Sequence, residues 1–190
     1  MPLHQRTPAK AGTKHDRLTA DLVSELKNPS PMGQPIILED RTPGTKSIRV
    51  HVIWDRWEDC ARELRWGIVG DAYGEAFGKE TQQQITLALG ITVPEAVGIG
   101  LLPFQIVPAR RKDERPTNAE YRKAMIDAGA SVLSAGDNPQ LRFATLEDAE
   151  KTLDHLQQTL PNSRWIIVQE VPESTSSVTS TGYPSYPPDY

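Results

Sequence analysis

The stretch IRVHVIWDRWEDC, from Ile48 to Cys60, gathers the side chains with the most chemistry: His51, Asp55, Glu58 and the chain's only cysteine. Such a set could supply a general base with an orienting acid, or a thiol nucleophile with a base beside it. Spacing argues against both. Along a strand His51 and Asp55 fall on one side but about 13 Å apart, too far for a hydrogen-bonded pair. A reactive thiolate needs a cation beside it or the first turn of a helix. Cys60 lies past the first turn of the helix expected from Asp55, and Glu58 and Asp59 beside it oppose ionisation. It is read as a small packed hydrophobe.

Other candidates are scattered. Arg110, Arg111, Lys112 and Arg115 crowd with Asp113 and Glu114 into one short stretch, read as a solvated linker. Its alternative role is contact with phosphate or an acidic partner. Gly67-Ile68-Val69-Gly70 spells the two-glycine loop of a KH-type RNA clamp but lacks a basic flank. There is no phosphate loop ending in Gly-Lys-Ser/Thr and no dinucleotide fingerprint. His4 and His15 lie in the N-terminal tail and His155 on the polar face of a helix, so no metal site and no cofactor is expected. The last residues, Pro187-Pro188-Asp189-Tyr190, fit the pattern that WW domains grip as a polyproline helix. More broadly, a tail ending in Tyr190 suits a docking peptide.

The elements that must position these groups follow from periodicity and punctuation. SIRVHVIW is a strand with Ile48, Val50, Val52 and Trp54 on one face. A helical pattern runs from there to about Phe77. QITLALGI is a second strand, TVPEAVGIG a short helix and LPFQIVPA a third strand. After the polar stretch come a helix in NAEYRKAMIDAG, short strands in ASVLSA and QLRFA, a helix in LEDAEKTLDHLQQTL and a last strand in RWIIVQEV. Helix starts are marked by Asp55 with Glu58, Thr92 with Glu95, Thr117 with Glu120 and Thr145 with Asp148, each an oxygen-bearing residue followed three places on by an acid. On this reading Asp55 and Glu58 cap a helix. Leu146, Ala149, Leu153, Leu156 and Leu160 form the buried face of the last helix.

In the long helix, Trp57, Ala61, Leu64, Ile68 and Ala72 project as one apolar stripe, and Trp66, Tyr73 and Phe77 as a second, roughly opposite. Interior glycines lie between them and cost on the order of 2–3 kcal/mol relative to alanine. Either they admit another backbone, such as a second subunit, or the helix breaks near Gly70.

The composition bounds the rest. The chain has 190 residues, 24% charged and 37% hydrophobic, with net charge −4, which suits one or two small globular units and argues against nucleic acid. One cysteine excludes an intrachain disulfide framework and any multi-cysteine metal site. The start shows no apolar core of a secretory signal, and no stretch approaches the ~20 apolar residues of a membrane span, so a soluble cytoplasmic protein is expected.

The expected fold is α+β, a mixed or antiparallel sheet with helices packed on it. It divides into a disordered tail over 1–35, a first lobe over 36–109, a linker at 110–116, a second lobe over 117–171 and a disordered Ser/Thr/Pro/Tyr-rich tail over 172–190. Within the first tail, Leu18, Leu22 and Leu26 sit at helical spacing, which predicts only a transient helix. The leading functional expectation is a non-enzymatic interaction or assembly module. It binds a protein partner or a second copy of itself through the Trp66, Tyr73 and Phe77 side, with Arg110, Arg111 and Tyr190 as further contacts. The alternatives are a small hydrolase or transferase assembled around His51, Asp55 and Arg110, and weak RNA or phosphate binding through the 110–115 loop.

Overall fold

A computed structural model describes residues 13–30, 33–109, 118–132 and 139–170. The elements are helix α1 (Thr13–Lys27), strands β1 (Ile36–Arg41) and β2 (Ile48–Ile53), a 3-10 turn (Asp55–Asp59), helices α2 (Arg62–Phe77) and α3 (Lys79–Gln84), strand β3 (Ile85–Ile91), helix α4 (Val93–Gly98) and strand β4 (Phe104–Pro108). They continue as helix α5 (Asn118–Asp127), strands β5 (Ser131–Val132) and β6 (Pro139–Phe143), helix α6 (Leu146–Thr159) and strand β7 (Trp165–Gln169). The fold is α+β, as expected, and its strands form two separate sheets, β1-β2-β3 and β5-β6-β4-β7.

The first sheet is mixed. β1 runs antiparallel to β2 and β2 parallel to β3, in a register that sets Leu38, His51 and Leu89 side by side. A parallel pair needs a crossover, which the 3-10 turn, α2 and α3 supply. Alternation in β2 sends Ile48, Val50 and Val52 to the helix side, where Trp54 joins them in the main core with Ile68, Val69, Ala72 and Tyr73 of α2. Ile53, at the strand's end, is sealed on the other face by Val93, Ala96 and Leu102.

α1 corrects the reading of the N-terminal region. The leucine-spaced segment is a packed helix whose Leu18, Leu22, Val23 and Leu26 are buried in the main core. A helix of this length is marginal alone, but burial against α2 supplies what propensity does not. Arg56 pairs with Asp21, Lys14 lies 3.5 Å from Asp59, and the His15 ring lies 3.7 Å from Asp71 of α2. His15 therefore belongs to the packed unit. Residues 1–12 lie outside the described residues.

α2 does not break at Gly70. Its buried residues are Arg65, Ile68, Val69, Ala72 and Tyr73, so Trp57, Ile68 and Ala72 of the expected stripe are buried while Ala61 and Leu64 are exposed. The cause is local. Trp57 belongs to the 3-10 turn, and Cys60 and Ala61 are not helical in their dihedrals, so the 100° count restarts at Arg62. One of the glycines has a close partner inside the chain: a Cβ on Gly74 would stand 2.8 Å from the side-chain oxygen of Gln82 of α3, whereas one on Gly67 would meet nothing within 4 Å.

The second sheet is antiparallel throughout. α5 and α6 contribute Ala124, Met125, Ala128 and Leu156 to a core completed by Ile106, Leu141 and Trp165. Thr152, beside the row expected to be buried on α6, is itself buried, its hydroxyl donating to the Asp148 carbonyl, while Leu146 of that row, at the helix's first position, is exposed. The third apolar cluster, around Ile53 and Leu102, also takes in Ala144, so it joins the two sheet units.

Candidate interaction surface

The opening stretch is held by contacts that run across the fold. Asp55 does not cap a helix: no side-chain cap is present at the 3-10 turn. Its carboxylate accepts from the Gln34 side-chain amide at 2.9 Å, and its own amide donates back to the Gln34 side-chain oxygen at 2.6 Å. Glu58 completes no cap either. Thr92 and Glu95 form the reciprocal box expected at α4, and Thr145 accepts from the Asp148 amide at α6. Thr117 lies outside the described residues.

Arg65 organises the junction. Buried at the start of α2, its guanidinium donates to the carbonyls of Cys60, Trp57 and Gly90 and to the Glu95 carboxylate at 2.9 Å. Four donations to four acceptors satisfy a charge that would otherwise be costly to bury. Arg62 adds a second guanidinium on Glu95. Burial opposes the Glu95 charge, but the Thr92 amide and the two arginines outweigh it and hold the carboxyl down at about 2. Gly90 is required here: a Cβ would fall 2.8 Å from Arg65 Cβ and 3.0 Å from the Trp57 ring. Trp57 is itself fixed by its indole N–H donating to the Val52 carbonyl.

The three residues weighed as a catalytic set have separate surroundings. His51 stands in the sheet between Leu38 and Leu89. Asp55 is bound to Gln34. Cys60 packs against the main core, and burial raises its thiol pKa, with Arg65 and Lys14 opposing in part. Arg110, Arg111 and Tyr190, and with them the linker and the C-terminal tail, lie outside the described residues.

A groove of about 730 Å³ lies between the two sheet units and contains none of these three. Its charged lining is already engaged. Glu25 accepts from Ser30, Glu39 from Tyr73 and Arg41, and Asp148 from Thr145. Arg142 pairs with Glu170 and Lys151 with Glu147. Among the described residues no cluster of three or more His, Cys, Asp or Glu could hold a metal ion, and no helix is long and apolar enough to cross a membrane.

The aromatic side of α2 divides. Tyr73 is fully buried, its hydroxyl donating to Glu39 at 2.7 Å; burial, then that carboxylate, push the phenol well above its ordinary pKa. Phe77 meets the Tyr73 ring edge-on with centroids 5.5 Å apart but is half exposed. Trp66 is 65% exposed, more than any other large apolar residue described. Gly70 and Gly74, one and two turns on from Trp66, face Gln82 of α3. Trp66 lies on the same side of α2 as Tyr73, two turns on, whose hydroxyl reaches Glu39 of β1.

The far edge of the first sheet is open. β3 ends its sheet, and among the described residues no strand lies beyond it. On the face away from α2, Leu87 and Leu89 are both more than a third exposed. No charged side chain occurs between Glu80 and Glu95. The opposite edge, β1, carries Glu39, Asp40 and Arg41, the usual deterrent to a passing strand. Leu87 and Leu89 escaped the sequence reading, although the alternation in QITLALGI marks a strand. Whether a strand is an edge depends on topology, and no local pattern encodes it.

Comparison with protein-family models, curated proteins and solved structures gives no match to this chain.

Proposed function

We propose that the chain is a non-enzymatic interaction or assembly module of the cytoplasm, with a protein as its partner. The observation that carries this is the unprotected apolar surface of one strand: Leu87 and Leu89 beside an uncharged sheet edge, with Trp66 exposed separately on α2. Single exposed apolar residues are ordinary, but an uncovered, uncharged edge strand with apolar flanks is a template for another chain. The sequence expectation placed the contact on Trp66, Tyr73 and Phe77; Tyr73 is enclosed, Trp66 and Phe77 stay exposed on α2, and the proposed surface moves onto Leu87 and Leu89 of β3.

The test is affinity purification of the tagged full chain against a Trp66→Ala/Leu89→Lys form. A partner, of this or another sequence, held by the first and lost by the second supports the reading. Identical binding by both refutes it.

A further inference from the structure

We propose that the occupant of the β3 edge is a second copy of this chain, paired antiparallel through β3 about a two-fold axis at Ala88. This rests on the interaction reading above and names its partner.

The strand reads Ile85-Thr86-Leu87-Ala88-Leu89-Gly90-Ile91, which is close to the same in both directions about Ala88. Antiparallel pairing at that centre sets Leu87 of one copy opposite Leu89 of the other, twice. The four leucines then form one apolar cluster on the exposed face, like opposite like. Identical strands meeting on a two-fold axis bring identical charges close, and here there are none to repel. β1, with its acidic pair and arginine, lacks that property.

The backbone suits the same centre. The Ile91 carbonyl faces β2, because it accepts from the Trp54 amide. Alternation then turns the peptide groups of Ala88 and Gly90 outward. A two-fold axis at Ala88 lets the two copies exchange both bonds of that residue. The Gly90 carbonyl accepts from Arg65 at 3.3 Å, which anchors that end of the strand. At the other end Ile48 stands opposite Ile85 and Arg49 opposite Leu87, so Thr86 is an extra residue in the register and regular pairing is confined to the middle of β3. The result is one continuous six-stranded sheet, β1-β2-β3-β3-β2-β1.

A mixed disulfide experiment reads the register. In a Cys60→Ser background, chains with Leu87→Cys are mixed with chains with Leu89→Cys under mild oxidation. Directly opposed positions lie about 4.5–5.5 Å apart, within reach of a disulfide, whereas Leu87 to its own copy is about 8 Å. The mixture is expected to cross-link and each variant alone to stay uncrosslinked. Sedimentation of the full-length chain is expected to give a dimer, and Leu89→Lys to weaken it about tenfold or more.

A monomeric mass for the parent chain up to about 1 mM overturns the inference. So does cross-linking of either variant alone, which means another register, or open-ended polymer, which means β3 meets a different edge. If the chain is monomeric but Leu89→Lys still loses a heterologous partner, self-pairing fails and the interaction reading stands. If neither association is sensitive to Leu89, both fail.

Discussion

Replacing Glu95 by Gln tests whether a carboxylate of this chain works as architecture. Glu95 closes the α4 cap through the Thr92 amide and meets the buried Arg65 at 2.9 Å. Gln keeps the shape and an acceptor for the Thr92 amide but removes the charge. Taking one partner from a buried ion pair costs about 3–5 kcal/mol. Here Arg65 keeps three carbonyl acceptors, and the Glu95 side chain is 23% exposed, so water shares the load. Those two features lower the expected loss to about 2–3 kcal/mol. The pH dependence gives a second reading of the same contact. The folded carboxyl titrates at about 2 against 4.5 for an ordinary one, so it binds a proton less readily folded than unfolded. Its stabilisation is complete above the unfolded value and is lost as the pH falls toward the folded one. Urea unfolding of both forms at neutral pH and at steps down to about pH 2.5 measures it. The gap is expected to be about 2–3 kcal/mol at neutral pH and to shrink to under about half through the acid range. A gap that stays constant into acid, or is absent at neutral pH, refutes the argument that charge at this junction holds the fold.

Leu22→Ala, in the helix that sequence reasoning left in a disordered tail, is expected to cost about 2–5 kcal/mol in denaturant unfolding; a cost near zero would mean α1 does not pack. Gly90→Ala should cost about 1–3 kcal/mol, toward the upper end because hydrogen bonds fix both Trp57 and Arg65, and a thermal melt matching the parent would contradict it. The Cys60 thiol should react with iodoacetamide more slowly than a free thiol at neutral pH, because burial disfavours its thiolate; an equal rate would show that the core does not shield it.

Much of the fold is legible in local pattern. Alternation in β2 names its buried face, and the Thr92–Glu95 spacing fixes the start of α4 because both bonds are made within one turn. What is not legible comes from contacts distant in sequence. Asp55 has the spacing of a cap, but Gln34, contributed by the segment before β1, holds both its amide and its carboxylate. β1 hides because IILEDR turns charged halfway along, as an edge strand does. The helical count from Trp57 does not carry into α2 because a 3-10 turn precedes it, and no residue type announces where one helical count stops and the next starts. For the candidate surface, Trp66 was legible as an aromatic off the main stripe, whereas Leu87 and Leu89 became visible only once β3 took its place at the end of the sheet.

The placement of α1 has a consequence for how the chain is made. The helix leaves the ribosome before the face it lands on, which is complete only after Phe77, about fifty residues beyond Lys27. At about 5–20 residues per second, its leucine row waits roughly 3–10 s in water before α2 exists to receive it. During those seconds the nascent protein presents an exposed leucine-rich segment, a natural handle for a chaperone that acts on chains still being translated.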